Sequence, residues 1–395
     1  MKIISIDILR LNNGKGNFEG GTWAPICLRI NTDEGISGYA EAGLAYGNAS
    51  NAAFGILLDF GKLVIGEDPM CIEAIWNKLH RKTFWGSGNG AVIMAGISAI
   101  DIALWDIKGK ALNRPVHDLL GGKMRDRIRS YASQIQFDWA PDSRTLTKPE
   151  EYAEAALKAI ADGYDCIKVD PIGFNMCGEW MGSNNFGLLS RPQLDMAYQR
   201  MAAIREACGP DVDIILELHC LTDRNTSIQL GHMLEPFNCF YCEEPTIPLN
   251  PDLMKQISES INVPIASGER IYSRWGFRPF LENHSLSIIQ PDLGNTGGLS
   301  EGKKICDMAH IYDVGVQLHV CGGPLATAAA LQLEAVIPNF IIHEHHTAAI
   351  RTENSRMCKY DYQPINGFFN IPNLPGIGQE LTEETIAKAE RVSIS

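Results

Sequence analysis

No stretch of the 395-residue sequence approaches the roughly 18 consecutive apolar residues of a membrane-crossing helix. Positive charge is scarce: 34 Lys and Arg face 47 Asp and Glu, a net charge of −13. That balance argues against nucleic acid or an anionic membrane as partner, because phosphate binding needs clustered cations. There is no low-complexity segment. No dinucleotide fingerprint occurs either, since the glycine-rich run at 86–90 lacks both the GxGxxG spacing and a strand before it. Paired zinc motifs are missing. The eleven cysteines are odd in number and mostly sit inside apolar runs, and the lone Cys239/Cys242 pair reads as core packing. These thiols fit a reduced, cytoplasmic protein. The first eleven residues carry Asp7 and Arg10 where a signal peptide would be uninterrupted and apolar, so they read as an alternating strand.

What is present is a large core, with 45% of residues hydrophobic, and a change of cadence along the chain. Residues 2–11, 26–30 and 35–39 read as strands around a glycine-rich loop at 14–21. From about 51 to 113 the period is helical, with Ile97, Ile100, Leu104 and Ile107 at three- and four-residue spacing. This predicts an α+β unit over residues 1–125, completed by about 360–395 returning to it. Over 126–359, short apolar runs at 128–131, 166–170, 214–219, 239–243, 264–269, 287–292, 315–319 and 340–344 alternate with helical stretches. Fully apolar strands alternating with helices predict a parallel sheet covered on both faces, and eight of them predict a barrel. The segment 173–189 reads as an inserted loop.

The barrel runs end in chemistry: Lys168 and Asp170, Glu217 and His219, Glu243, Glu269, Asp292, His319, Glu344. In a parallel barrel these ends converge on one mouth. Glu217, Glu243 and Glu269 recur every 26 residues, one barrel unit per step, so they stand on successive strands. Three oxygen donors with open positions suit a hard octahedral cation, Mg²⁺ above all, whereas zinc would want His and Cys. Glu217 and His219 share a face by strand alternation. Asp292 and His319 end neighbouring strands, where a carboxylate raises an imidazole's basicity. His319 is therefore the candidate general base and His219 the candidate acid. Of the run His343–His346, alternation leaves Glu344 as the site candidate. Glu244 is expected to face away from the mouth, and Lys168 to share a face with Asp170 and pair with it.

The stretches IDIALWDIKGKALNRPVHDLLGG, CEEP, SGER, QPDLGNTGGLSEGKKI and LHVCGGPLATAAALQ, with PGIG near the end, resemble the enolase superfamily in its mandelate racemase/muconate lactonizing branch, over nearly the whole chain. Within it, Glu217-x-His219, GER followed by Tyr-Ser-Arg, and NGFF are most similar to galactonate dehydratase-type acid-sugar dehydratases. The resemblance implies a modified (β/α)7β barrel under an α+β capping domain, and a homo-oligomer. It implies Mg²⁺ on Glu217, Glu243 and Glu269, a base at His319 paired with Asp292, an acid at His219, and Glu344 on the substrate carboxylate beside Lys168 and Asp170. The implied substrate is an acid sugar, an aldonate such as galactonate, losing its 3-hydroxyl to give a 2-keto-3-deoxy acid. Alternatives are an epimerase or cycloisomerase on the same site, or a catalytically silent member. Two departures stand out. The first metal position is usually Asp, here Glu217, and the Lys-x-Lys of racemases is here Lys168-Val169-Asp170. A single base then predicts proton exchange from one face only. Loops near 12–22, 44–50 and 173–189 are expected to set specificity.

Overall fold

The structure, a computed structural model, describes residues 1–11, 17–18, 21–142, 144–182 and 187–395. Eight parallel strands, Arg127–Ser133, Cys166–Val169, Asp213–Glu217, Tyr241–Glu243, Ile265–Ser267, Ile288–Ile289, Gly315–Val316 and His343–His346, pair in chain order. We number them barrel strands one to eight. The eighth pairs with the first, and the bridge from Val316 to Phe340 closes the ring. Each of the first seven is followed by a helix of at least eight residues, whereas the eighth leads only into the 3-10 turn Thr347–Ile350 and the four-residue helix Thr352–Ser355. The fold is thus a (β/α)7β barrel, as the sequence predicts.

Both faces of the barrel are packed, which explains the apolar residues of strands two to seven. The eighth strand, His343–His346, is instead polar and lies three residues beyond the start of the run expected at 340–344. Inside, Tyr131, Cys166, Ile215, Tyr241, Ala266, Ile288 and Ile342 form a closed core of their own. Outside, Ile167, Ile214, Cys242, Ile265 and Ile289 join the main core beneath the helices. Gly268 shows how tightly the strand ends converge. A Cβ there would meet the Gln290 backbone at 2.4 Å, so only glycine lets Glu269 approach the sixth strand.

The N-terminal unit is an antiparallel sheet in the order Glu390–Ile394, Ile3–Arg10, Ile26–Thr32, Ser37–Ala42. Its inner face, led by Ile6, Ile8, Leu28 and Ile30, lies under the helices Ser50–Val64 and Ala91–Ala111. The last strand, Glu390–Ile394, pairs antiparallel with Ile3–Arg10, placing Ile394 opposite Ile6. The long helix is buried along most of its length. Asp101 and Asp106 within that face accept hydrogen bonds from the Ser300, Tyr39 and Ile377 amides, so its carboxylates serve as junctions rather than breaks. No helix among the described residues is long and apolar enough to cross a membrane.

Candidate active site

A cavity of about 390 Å³ lies over the carboxyl ends of the barrel strands. His219, Glu269, Asp292 and His319 line its lower part. Trp23, Leu44, Tyr46, Phe137 and Trp180 line it with apolar and aromatic surface, with Gln134, Asn295, Tyr272 and His346 also lining it. Strands three and seven are four apart in a ring of eight, so His219 and His319 stand on opposite sides.

Each imidazole has its own carboxylate. His319 Nδ1 lies 2.8 Å from Asp292 Oδ2, and its Nε2 is 3.1 Å from Glu269 Oε2. His219 Nδ1 lies 2.8 Å from Asp170 Oδ2, with Gln134 Nε2 3.3 Å from its other nitrogen. Burial alone would lower both imidazoles. For His219 the Glu217 charge and the Asp170 bond overcome it, raising the ring to about 9. For His319 the charges of Glu269 and Glu344 and the Asp292 bond hold the ring well above its ordinary value. Asp170 is itself fixed by the Ile172 and Gly173 amides at 2.9 and 2.7 Å.

Beneath the cavity floor a second layer is almost sealed from water. Glu217 and Glu243 are register partners on strands three and four. The Lys168 ammonium lies 2.9 Å from Glu217, 2.7 Å from Glu243 and 2.9 Å from Glu344, with all four side chains no more than 1% exposed. The expected Lys168–Asp170 pair does not form. Lysine's long stem carries its charge to three glutamates, and Asp170 is taken by His219. Glu344 also accepts from Ser133 Oγ at 2.6 Å and the Val320 amide at 2.9 Å. Burial opposes its ionisation, but Lys168 and His319 hold it well below the usual carboxylate range. Burial and the neighbouring Glu217 push Glu243 the other way, well up. Lys168, Asp170, Glu217, Glu243 and Glu344 thus underlie the cavity rather than line it.

Glu244 is buried, yet it is not remote from the site. A left-handed backbone, φ 49°, turns it to Arg270, which also binds Glu269. Within the run His343–His346, Glu344 is joined by His346, which lines the cavity. Alternation gives both the same face, a signal that a reading limited to Glu344 leaves unused. His343 instead bonds Glu334 at 2.7 Å, and His345 meets the Tyr164 hydroxyl. Gln134, at the end of strand one, is a further residue the sequence reading passes over, its φ of 71° aiming it inward. Of the expected specificity loops, residues 44–46 and Trp180 reach the cavity. Residues 12–16, 19–20 and 183–186 lie outside the described residues.

A divalent cation fits this site in donor type and in charge. Asp170, Glu217, Glu243, Glu244, Glu269, Asp292 and Glu344 crowd together, and among the described residues Lys168 and Arg270 are the permanent cations touching them. Glu243 Oε2 is buried without a hydrogen-bond partner. The donors are not gathered, however: no three His, Cys, Asp or Glu side chains among the described residues converge as a metal centre.

A barrel of this kind, with acids, imidazoles and a lysine on its strand ends under an α+β cap, defines a class. Residues 21–121 match the mandelate racemase/muconate lactonizing enzyme N-terminal domain, and residues 151–385 the enolase C-terminal domain-like family. The chain belongs to this branch of the enolase superfamily. It is similar to the D-galactonate dehydratases of Variovorax paradoxus and Pectobacterium atrosepticum. Each is 34% identical, over 92% of this chain and 90% of the relative. An enolase-superfamily member from Salmonella Typhimurium superimposes with a TM-score of 0.96 at 54% identity, covering 100% of both chains. A mandelate racemase/muconate lactonizing enzyme from a Sulfitobacter species does so at 0.88 and 29%, covering 98% of this chain and 95% of its own. The chain is accordingly an enzyme, a carbon–oxygen lyase of the hydro-lyase type.

Proposed function

We propose that this enzyme is a Mg²⁺-dependent dehydratase of an acid sugar, an aldonate of the galactonate class, working in the cytoplasm as a homo-oligomer. The observation that carries the reading is the pair of carboxylate-backed imidazoles, His319–Asp292 and His219–Asp170, facing each other across one cavity. Dehydration next to a carboxylate needs a base for the α-proton and an acid for the departing hydroxyl. His319 takes the proton from C2, and Asp292 fixes its tautomer and stabilises the imidazolium that results. His219, held protonated by Glu217 and Asp170, gives its proton to the leaving 3-hydroxyl. The enol then tautomerises to the 2-keto-3-deoxy acid.

Glu217, Glu243 and Glu269 would hold the magnesium ion. When bound, that ion supplies positive charge for the ene-diolate and offsets the carboxylates that otherwise favour a protonated His319. Glu344, held as a carboxylate beneath the floor by Lys168, Ser133 and the Val320 amide, supports the site from below. Glu217 reaches the same layer as Lys168, whose ammonium lies 2.9 Å from it. In this reading residues 1–125 and about 360–395 form the cap, and 126–359 the catalytic barrel.

Epimerisation needs a second base on the other face. Lys168 is engaged by three glutamates and Asp170 by His219 and two amides, which leaves His219 on that face. Whether its proton goes to C2 or to the departing 3-hydroxyl separates the two readings. The test is a panel of C5 and C6 aldonic and aldaric acids, assayed with Mg²⁺ for 2-keto acid. An aldonate is expected to react. No 2-keto acid across the panel, with Mg²⁺ bound, would overturn the proposal; C2 deuteration of substrate in D₂O would then favour an epimerase, and no exchange a silent member.

A further inference from the structure

Two carboxylates of the N-terminal unit cross to the barrel and end on helix N-termini. Asp101 accepts from the Ser300 amide at 3.0 Å, in the first turn of the helix Gly298–Ile311. Glu41, on the strand Ser37–Ala42, stands 2.9 Å by each oxygen from the Gly323 amide, at the start of the helix Pro324–Glu334. Gly323 has no side chain to cap its own helix, so the carboxylate comes from another unit. Glu41 is 3% exposed, and a Cβ on Gly323 would come within 2.7 Å of it.

The two contacts differ in what they hold. The Glu41 contact is four residues past His319, and the loop between also carries the Val320 amide that binds Glu344. Two residues beyond Glu41, the Gly43 amide donates to the Gly294 carbonyl at 3.0 Å. Gly294 in turn donates to Asp292 Oδ1 at 2.7 Å. Gly43 also abuts Asn295, whose Oδ1 would lie 1.9 Å from an added Cβ. One short segment of the cap therefore touches both strand-end loops, the one after Asp292 and the one after His319. Asp101, by contrast, meets its helix eight residues beyond Asp292.

We propose that Glu41 is a positioning residue for the His319–Asp292 pair, clamping the His319 loop through Gly323 while Gly43 clamps the Asp292 loop. The cap then sets the geometry of the base as well as closing the cavity. The proposal rests on the reading of His319 as the base.

The test uses the full-length protein with Mg²⁺ and three variants: Glu41→Ala, Glu41→Gln and Asp101→Ala. Four quantities are read for each: kcat and KM on the acid sugar, the melting temperature, and the His319 Nδ1–H resonance. The resonance is followed in ¹⁵N-histidine-labelled protein and assigned with His319→Asn. Glu41→Ala is expected to lower kcat roughly 10–100-fold, the scale of a small misplacement of a reacting group, with KM little changed. Glu41→Gln keeps an acceptor oxygen and should recover most of that loss. Asp101→Ala should lower the melting temperature and leave kcat alone. The His319 resonance should move in Glu41→Ala and not in Asp101→Ala. Wild-type kcat with an unmoved resonance in Glu41→Ala would overturn the proposal, as would an equal loss of kcat in Asp101→Ala. If the wild type dehydrates no acid sugar but the resonance moves in Glu41→Ala alone, the functional reading fails and the positioning role stands.

Discussion

The floor of the cavity and its rim are built on different principles. The floor consists of Lys168, Glu217, Glu243 and Glu344, each from a different barrel strand and no more than 1% exposed. The rim includes Tyr46, on the two-residue strand Tyr46–Gly47, and Trp180, in the 173–189 insertion, each 45% exposed. A floor of charges sealed from water holds its geometry because every displacement leaves a buried charge unpaired. A rim of half-exposed aromatics can trade contacts at small cost. Chemistry common to a family belongs on the first, and choice of substrate on the second.

The sharpest way to break this comparison is at the junction of the two, where His319 stands. His319→Asn should lower turnover of the acid sugar roughly 10²–10⁴-fold if the imidazole is the general base, with an unchanged melting temperature. Turnover near the wild-type rate in this variant would contradict the assignment. Next in size is the floor itself. Lys168→Met strands three glutamates in a buried layer, so urea unfolding near pH 7 should show a loss of about 3–5 kcal/mol. That loss should shrink as pH falls and the carboxylates take up protons. A Lys168→Met protein as stable as wild type at neutral pH would mean the floor is wetter than its burial indicates.

The rim should respond differently. Trp180→Ala removes an aromatic wall, and a contact of about 1.5 kcal/mol is worth about tenfold, which should appear in KM while kcat stays close to wild type. A large fall in kcat instead would place Trp180 with the chemistry. The smallest effect lies where cap meets barrel. Burial raises the Asp101 carboxyl to about 7 from 3.8. Between those values the folded protein holds a proton the unfolded chain has lost, so this group makes stability fall as pH rises from about 4 to 7. Asp101→Asn keeps an acceptor for Ser300 but cannot titrate. Thermal melts of the variant should show a flatter pH dependence across that window, and an unchanged slope would exclude Asp101 as its source.

The same division decides what could be read from the sequence. The barrel was legible because strand alternation and a repeating strand–helix unit are properties of regular structure, and the 26-residue recurrence puts Glu217, Glu243 and Glu269 at the ends of successive strands. Partner choice was less so. Alternation puts Lys168 and Asp170 on one face, but the reach of a lysine stem across two strands decides which carboxylate it meets. Glu244 and Gln134 depend on left-handed backbone at their own positions, which no side-chain pattern announces. His346 was within reach of the same alternation that identifies Glu344. The rim depends on loop conformation, and Trp180 enters the cavity through an insertion with no periodicity to read.

The central claim is that one base, His319, works on one face of the α-carbon and that elimination follows. Proton NMR of an acid-sugar substrate turned over in D₂O with Mg²⁺ tests it most directly. The expected result is a 2-keto-3-deoxy product, with deuterium exchange at C2 confined to substrate of a single C2 configuration. Recovery of substrate deuterated at C2 in both configurations, without a deoxy keto acid, would contradict the account.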